Sequence, residues 1–238
     1  MEKTPLIDVC FSPYLYPIYE REEQIVVIID ILRATSAICT AFSNGVEKMI
    51  PVATIEEAAL YKQQGFLVGA ERNAMAIEGF DFGNSPYSYM TDKIKGQTVV
   101  ITTTNGTQAI EAAKNAYAVV IGSFLNITAL CNWLSQQDKS ILLLCSGWKN
   151  RFNLEDTLFA GAVAEKLTVN SAFKMLDGAL ASKYLYQQAH ENPYKFLNYS
   201  SHKERLSAMG LKDDIKYCLT PDQTDVIPML QDKYLVLK

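Results

Sequence analysis

The sequence predicts an α/β fold: a three-layer α/β/α sandwich with a largely parallel or mixed central sheet. Three observations predict it. Ile25–Ile29 and Ile141–Cys145 are uninterrupted apolar runs of strand length, as expected where both faces of a strand are covered. Such runs alternate with helical stretches, and turn residues separate the two. A chain of 238 residues can bury a core without staples. With no repeat, low-complexity tract or linker, it reads as one domain over residues 1–238.

The elements follow in order. Leu6–Phe11 and Ile25–Asp30 read as strands. Ala34–Ser43 reads as a helix that stops at Asn44-Gly45. Lys48–Val52 is a short strand. Thr54-Ile-Glu-Glu57 has the form of a capping box, opening a helix that runs to Gln64 and stops at Gly65. Phe66–Ala70 is a strand, and Glu78–Thr91 is irregular. Thr98–Thr102 and Ala118–Gly122 are strands, each followed by a helix, Thr107–Ala116 and Ile127–Gln137. After Ile141–Cys145 come helices over Glu155–Leu167 and Asp177–Ala189, shorter helical pieces beyond Pro193, and an apolar end, Tyr234–Leu237.

Composition excludes several functions. Twenty-two basic residues against 26 acidic ones give a formal charge of −4, which argues against general nucleic-acid binding. Five cysteines without a C-x-x-C read as buried, reduced thiols of a cytoplasmic protein. The two histidines, His190 and His202, lack zinc-site spacing, and any triad would have to rest on one of them. No signal peptide is visible, and no apolar run is long enough to span a bilayer. The P-loop, the G-x-G-x-x-G fingerprint and the G-x-S-x-G elbow are all missing.

Polar residues gather after the strands, where open α/β sheets bind ligands. Asp30, Arg33, Thr35 and Ser36 follow one strand, and Glu71 and Arg72 another. Asn84 and Ser85 lie in the irregular stretch. Thr103, Thr104, Asn105, Gly106 and Thr107 run directly into a helix, where free amides and the helix dipole favour an anion. Glu155 and Asp156 open a later helix. Taken singly, each has a plain reading as a cap, a turn or an ion pair. Taken together, they pair hard oxygen donors of the kind Mg²⁺ uses with arginines suited to phosphate, carboxylate or sulfonate. That combination points to metal-assisted chemistry on a small anionic phosphorylated substrate.

At these residues the sequence resembles the 2-phosphosulfolactate phosphatase family. The resemblance is carried by Asp30-Ile-Leu-Arg33-Ala-Thr-Ser36, Glu71-Arg72, Gly79-Phe-Asp-Phe-Gly-Asn84-Ser-Pro86, Thr103-Thr-Asn-Gly-Thr107 and Asn153-Leu-Glu-Asp156 followed by Ala160-Gly161. Leu206, Gly210, Asp214-Ile215 and Asp225-Val-Ile-Pro228 continue the order toward the C-terminus. Ser36 stands where the family often has a second Thr, and Ala70 where it tends to have Gly. The resemblance implies a three-layer, Mg²⁺-dependent phosphatase that converts 2-phosphosulfolactate to sulfolactate and phosphate, in a branch of coenzyme M biosynthesis. On that reading Asp30 and Glu155 or Asp156 bind the metal. Adjacent helical residues point about 100° apart, so both need not be ligands. Asp30, Glu71 and Asp156 are the catalytic candidates, with Glu71 either a further ligand or a base for water. Arg33, Thr35, Ser36, Arg72, Asn84, Ser85 and Thr103–Thr107 would hold the substrate. Water attack and an aspartyl-phosphate on Asp30 both stay open. So do another small acidic phosphomonoester, a non-catalytic anion-binding domain, and assembly as a homo-oligomer. Neither nucleic acid nor membrane is an expected partner.

Overall fold

A computed structural model describes residues 4–169 and 173–238. Its eleven strands are β1 (Leu6–Cys10), β2 (Ile25–Ile29), β3 (Lys48–Pro51), β4 (Leu67–Arg72), β5 (Met75–Ala76), β6 (Thr98–Thr102), β7 (Ala118–Gly122), β8 (Ile141–Cys145), β9 (Lys174–Met175), β10 (Pro228–Gln231) and β11 (Tyr234–Leu237). The helices are α1 (Tyr16–Tyr19), α2 (Ala34–Ser43), α3 (Ile55–Gln63), α4 (Gly106–Ala113), α5 (Ile127–Leu134), α6 (Leu154–Val169), α7 (Asp177–Ala189), α8 (Pro193–Phe196), α9 (Ser201–Ala208) and α10 (Lys212–Cys218).

The strands form one mixed sheet in the order β5-β4-β6-β3-β11-β10-β7-β2-β8-β1-β9. Strands β7, β2, β8, β1 and β9 pair in parallel, as do β4, β6 and β3. The C-terminal hairpin β10–β11 sits between the two parallel groups and pairs antiparallel with β7 on one side and β3 on the other.

Alternate residues of the apolar runs bury on opposite faces. Ile25, Val27 and Ile29 of β2 pack with Ile141 and Leu143 of β8 against α5 and α6. Val26 and Ile28 face the other way, with Leu142 and Leu144, against α2 and α4. This two-sided covering is why both runs are continuous rather than alternating. All residues from Ala34 to Phe42 of α2 are buried, so the helix is enclosed rather than laid on a surface. All five cysteines are buried and unpaired. Among the described residues, no helix is long and apolar enough to cross a membrane.

Most boundaries agree with the pattern, and α2, β6, β7, β8 and α7 agree at both ends. Helices α4 and α5 end three residues early, at Ala113 and Leu134. Thr54 caps α3 by accepting from the Glu57 amide at 3.1 Å, but the Glu57 side chain makes no return bond, so only half the capping box forms.

Helices α6 and α7 cross at Gly161. A Cβ at that position would stand 2.0 Å from the Ser182 carbonyl oxygen. Gly161→Ala is therefore expected to force the helices apart and cost about 3 kcal/mol, read as a lower urea midpoint. An unchanged midpoint would contradict this packing.

Candidate active site

The carboxyl ends of β2, β4 and β6 converge on a cleft lined by Asp30, Arg33, Glu71, Asn84, Thr104 and Asn105, among others. Six of the residues singled out in the sequence thus meet there.

Asp30 ends β2. Thr35 closes the loop behind it: its hydroxyl accepts from the Asp30 amide at 3.2 Å and donates to the Asp30 carbonyl at 2.9 Å. Ser36 lies beneath, donating to the Ile31 carbonyl at 3.0 Å and bonded to Ser123 at 2.9 Å. Neither hydroxyl lines the cleft; both shape the loop that presents Asp30. On the other side α4 begins at Gly106, where a Cβ would lie 2.9 Å from Asp30 Oδ2 and 2.7 Å from Ala34 Cβ. Glycine is what lets the helix start come this close. Thr103 and Thr107 lock that start by exchanging bonds: the Thr107 amide donates to Thr103 Oγ1 at 3.1 Å, and Thr107 Oγ1 donates to the Thr103 carbonyl at 3.1 Å.

Burial pushes the Asp30 pKa up to about 6. His202 and the Ala34 amide pull it down, and Glu71 and Glu155 push it further up. Glu71, the penultimate residue of β4, accepts from the Ala74 amide and, at 3.4 Å, from the Thr104 hydroxyl. The hairpin behind it turns through Asn73 and Ala74, both at positive φ.

The acids at the start of α6 divide their work. Asp156 Oδ1 accepts from the Ile31 amide at 2.9 Å, and Oδ2 accepts from Asn153 at 2.9 Å and the Gly147 amide at 3.2 Å. Both oxygens are occupied in tying the β2 and β8 loops together, and Asp156 does not line the cleft. Burial raises its pKa well above the carboxylate range, and the charges of Asp30 and Glu155 add to that. Glu155 is fully buried. Its Oε1 lies 2.5 Å from His202 Nδ1 and accepts from Asn153 at 3.1 Å, while its Oε2 has no partner.

The arginines are placed differently from one another. Arg33 lines the cleft, but its donors reach Asp214 at 2.6 Å and the Ala74 carbonyl at 2.8 Å. Arg72 donates to the Glu71 carbonyl at 2.7 Å and to Thr102 at 3.4 Å. Ser85 starts a 3₁₀ turn, Pro86–Tyr89, outside the cleft. Asn84 is buried in the cleft wall with its Oδ1 unpartnered. Five residues that the motifs did not single out complete the wall: Asn73 and Ala74 of the turn after β4, and Trp148, His202 and Arg205. The last three come from distant parts of the chain. The signal available for two of them was spacing, because His202 and Arg205 stand three apart on α9.

Carboxylates and hydrogen-bond donors share one cleft at strand carboxyl ends, the place where α/β enzymes bind their ligands. The comparisons agree. A family profile described as 2-phosphosulpholactate phosphatase matches residues 10–233. The chain is 41% identical over 233 residues to a probable 2-phosphosulfolactate phosphatase of Thermotoga maritima, covering 98% of this chain and 99% of that one. It is 41% identical over 215 residues to a protein of the same description from Caldanaerobacter subterraneus, covering 89% of each. A Clostridium novyi relative so described is 39% identical over 215 residues, covering 87% of this chain and 91% of its own length. The chain belongs to the 2-phosphosulfolactate phosphatase family, a family of phosphomonoesterases.

Proposed function

We propose that the protein hydrolyses 2-phosphosulfolactate to 3-sulfolactate and inorganic phosphate with Mg²⁺ bound in the cleft, serving the sulfolactate branch of coenzyme M biosynthesis. The observation that carries the reading is Asp30, desolvated and flanked by acids, facing a helix start across the same cleft.

The donor set fits the cation. Glu155 Oε2 is a buried oxygen without a partner, and clustered carboxylates repel unless positive charge joins them. Among the described residues, no three Asp, Glu, His or Cys side chains are grouped so as to hold a metal ion on their own. Mg²⁺ suits such a site, because it keeps several waters and takes one or two carboxylates plus substrate phosphate. Asp30 on the cleft wall would hold it, with Glu155, buried outside the cleft lining and fixed by His202, as the second candidate ligand. When bound, the ion supplies neutralisation of phosphoryl charge and acidifies water.

The chain's own groups do the rest. The Thr104-Asn105-Gly106 turn presents amides to the phosphate oxygens at the positive end of α4. Asn84 Oδ1 accepts from a water. Glu71 Oε2, whose one contact is Thr104 at 3.5 Å, takes the proton of the attacking water. The water oxygen bonds to phosphorus as the ester P–O bond breaks, and the proton returns through cleft water to the sulfolactate oxygen. The test is phosphate release from 2-phosphosulfolactate with Mg²⁺ and after chelation. Release in Mg²⁺ that stops with EDTA is expected; release that persists in EDTA would refute the metal assignment. Single-turnover hydrolysis in ¹⁸O-water, with the mass of the protein read afterwards, is expected to show no label in Asp30.

A further inference from the structure

A second cavity opens beside the carboxylate cleft. It measures about 320 Å³ and shares Trp148, His202 and Arg205 with the cleft. The two spaces differ in charge. Asp30 and Glu71 stand on the wall of the cleft. Arg151 and Arg205 stand on the wall of the second cavity, which has no carboxylate among its lining residues.

Arg205 is the best-defined group there. Its guanidinium carbon lies 4.3 Å from the centre of the Trp148 ring. Stacking fixes the plane of the guanidinium and leaves its edge donors free. Among the described residues its buried Nε has no acceptor and no carboxylate lies within ion-pair distance, the charges of Glu155 and Glu71 reaching it only from farther off. The neighbouring arginines are already engaged, Arg33 by Asp214 and Ala74, and Arg72 by Glu71 and Thr102. A buried guanidinium Nε without an acceptor is an unusual feature, because such donors are normally satisfied. A ligand oxyanion supplies what the protein does not.

The platform beneath Arg205 is itself built. The Trp148 amide donates to the Arg151 carbonyl at 2.9 Å, and the Arg151 amide donates back to the Trp148 carbonyl at 3.0 Å. Lys149 and Asn150 between them take positive φ, which makes the reversal tight. One short turn therefore carries both the stacking ring and the second arginine.

We propose that this cavity is the tail-anion subsite of the active site, and that Arg205, backed by Trp148 and assisted by Arg151, binds the anionic group of the substrate that is not the phosphate. The proposal rests on the phosphatase reading above, in which the phosphate occupies the carboxylate cleft at α4. The remainder of the substrate then extends toward α9, into a space lined by Arg205 and Arg151 and by no carboxylate. Arg205 sets the substrate class: small phosphate esters with a second anion, in preference to neutral alkyl phosphates.

Steady-state kinetics in Mg²⁺ buffer test it, with 2-phosphosulfolactate, 2-phospholactate and isopropyl phosphate as substrates. Arg205→Gln is expected to raise KM for 2-phosphosulfolactate roughly 10- to 100-fold, the range of a lost charged hydrogen bond. The rise in KM for 2-phosphosulfolactate is expected to exceed any loss of kcat/KM on isopropyl phosphate by about tenfold or more. Arg205→Lys falls between, because it keeps the charge and loses the fork. Arg151→Gln, at an exposed position that the fold tolerates, is expected to raise KM several-fold on the tailed substrates alone. Equal losses on isopropyl phosphate and 2-phosphosulfolactate would overturn the subsite, as would an unchanged KM in Arg205→Gln. If that variant does not fold, Arg205→Lys and Arg151→Gln decide by the same criterion. A wild-type enzyme active on 2-phospholactate but not on 2-phosphosulfolactate would overturn the sulfonate reading instead, and the subsite would be judged on 2-phospholactate.

Discussion

Replacing Asp30 with Asn is expected to lower Mg²⁺-dependent phosphate release at least ~10³-fold while making the metal-free protein more stable at pH 7.5. The loss of activity follows from removing the charge that the cation needs. The gain in stability follows from the same burial that makes the site. Burial raises the folded-state pKa of Asp30 from 3.8 to about 6. A carboxyl with a raised pKa binds its proton more tightly in the folded state than in the unfolded one. Folding is then favoured below pH 3.8, and that contribution is lost as pH rises to about 6. Above pH 6 the ionised group opposes folding by on the order of 3 kcal/mol. Asn keeps the shape and an acceptor for the Ala34 amide, and removes the charge. In EDTA its Tm at pH 7.5 is expected to exceed wild type by several degrees, and the difference should shrink toward pH 4. Asp156 titrates in both proteins, and removing the Asp30 charge also eases the push on its carboxyl, so the Tm difference reads the two acids together. Activity above a tenth of wild type, or a Tm below it at pH 7.5, would reject the assignment.

That conflict between stability and charge was partly legible in the sequence. The run Ile25–Ile29 ends in an acid, and a strand covered on both faces delivers such an acid to a sheet edge with little water around it. The same logic located Glu71 and the Thr103–Thr107 turn. What the linear pattern could not supply was orientation. Arg33 and Asp156 stand in the right loops, yet Arg33 turns to Asp214, 181 residues away, and Asp156 spends both oxygens on loop amides and Asn153. Trp148, His202 and Arg205 reach the cleft because α9 and the turn after β8 are brought beside it by tertiary packing alone.

Strands β5, β9 and β10 were missed for a local reason. Strands β5 and β9 have two residues each and carry no periodicity. The hairpins β4–β5 and β10–β11 turn through Asn73-Ala74 and Asp232-Lys233 rather than Asn-Gly. Ala74 adopts φ 67°, a conformation that glycine accepts freely and alanine at a cost of about 1 kcal/mol. Its position explains why that cost is tolerated. Its amide holds Glu71 and its carbonyl holds Arg33. The strained turn therefore couples the base candidate to the buried ion pair.

That pair carries the second large effect. Arg33 and Asp214 meet at 2.6 Å with side-chain exposures of 4% and 9%, joining the start of α2 to α10. Arg33→Met is expected to cost 3–5 kcal/mol, because it strands a carboxylate without its partner. Asp214→Leu is expected to cost a similar amount by stranding the guanidinium. The double variant, Arg33→Met with Asp214→Leu, should recover at least half of the summed loss, since two apolar side chains of similar volume leave no charge unpaired. Urea unfolding of the four proteins closes the cycle, and strictly additive losses would show that the pair is not energetically coupled. Activity should not recover in step. In the double variant the Ala74 carbonyl still lacks its donor, so the turn that positions Glu71 stays loosened while the fold is restored. A double variant with wild-type kcat would mean that Glu71 owes its position to the Thr104 hydroxyl and the sheet, and not to the Arg33 clamp.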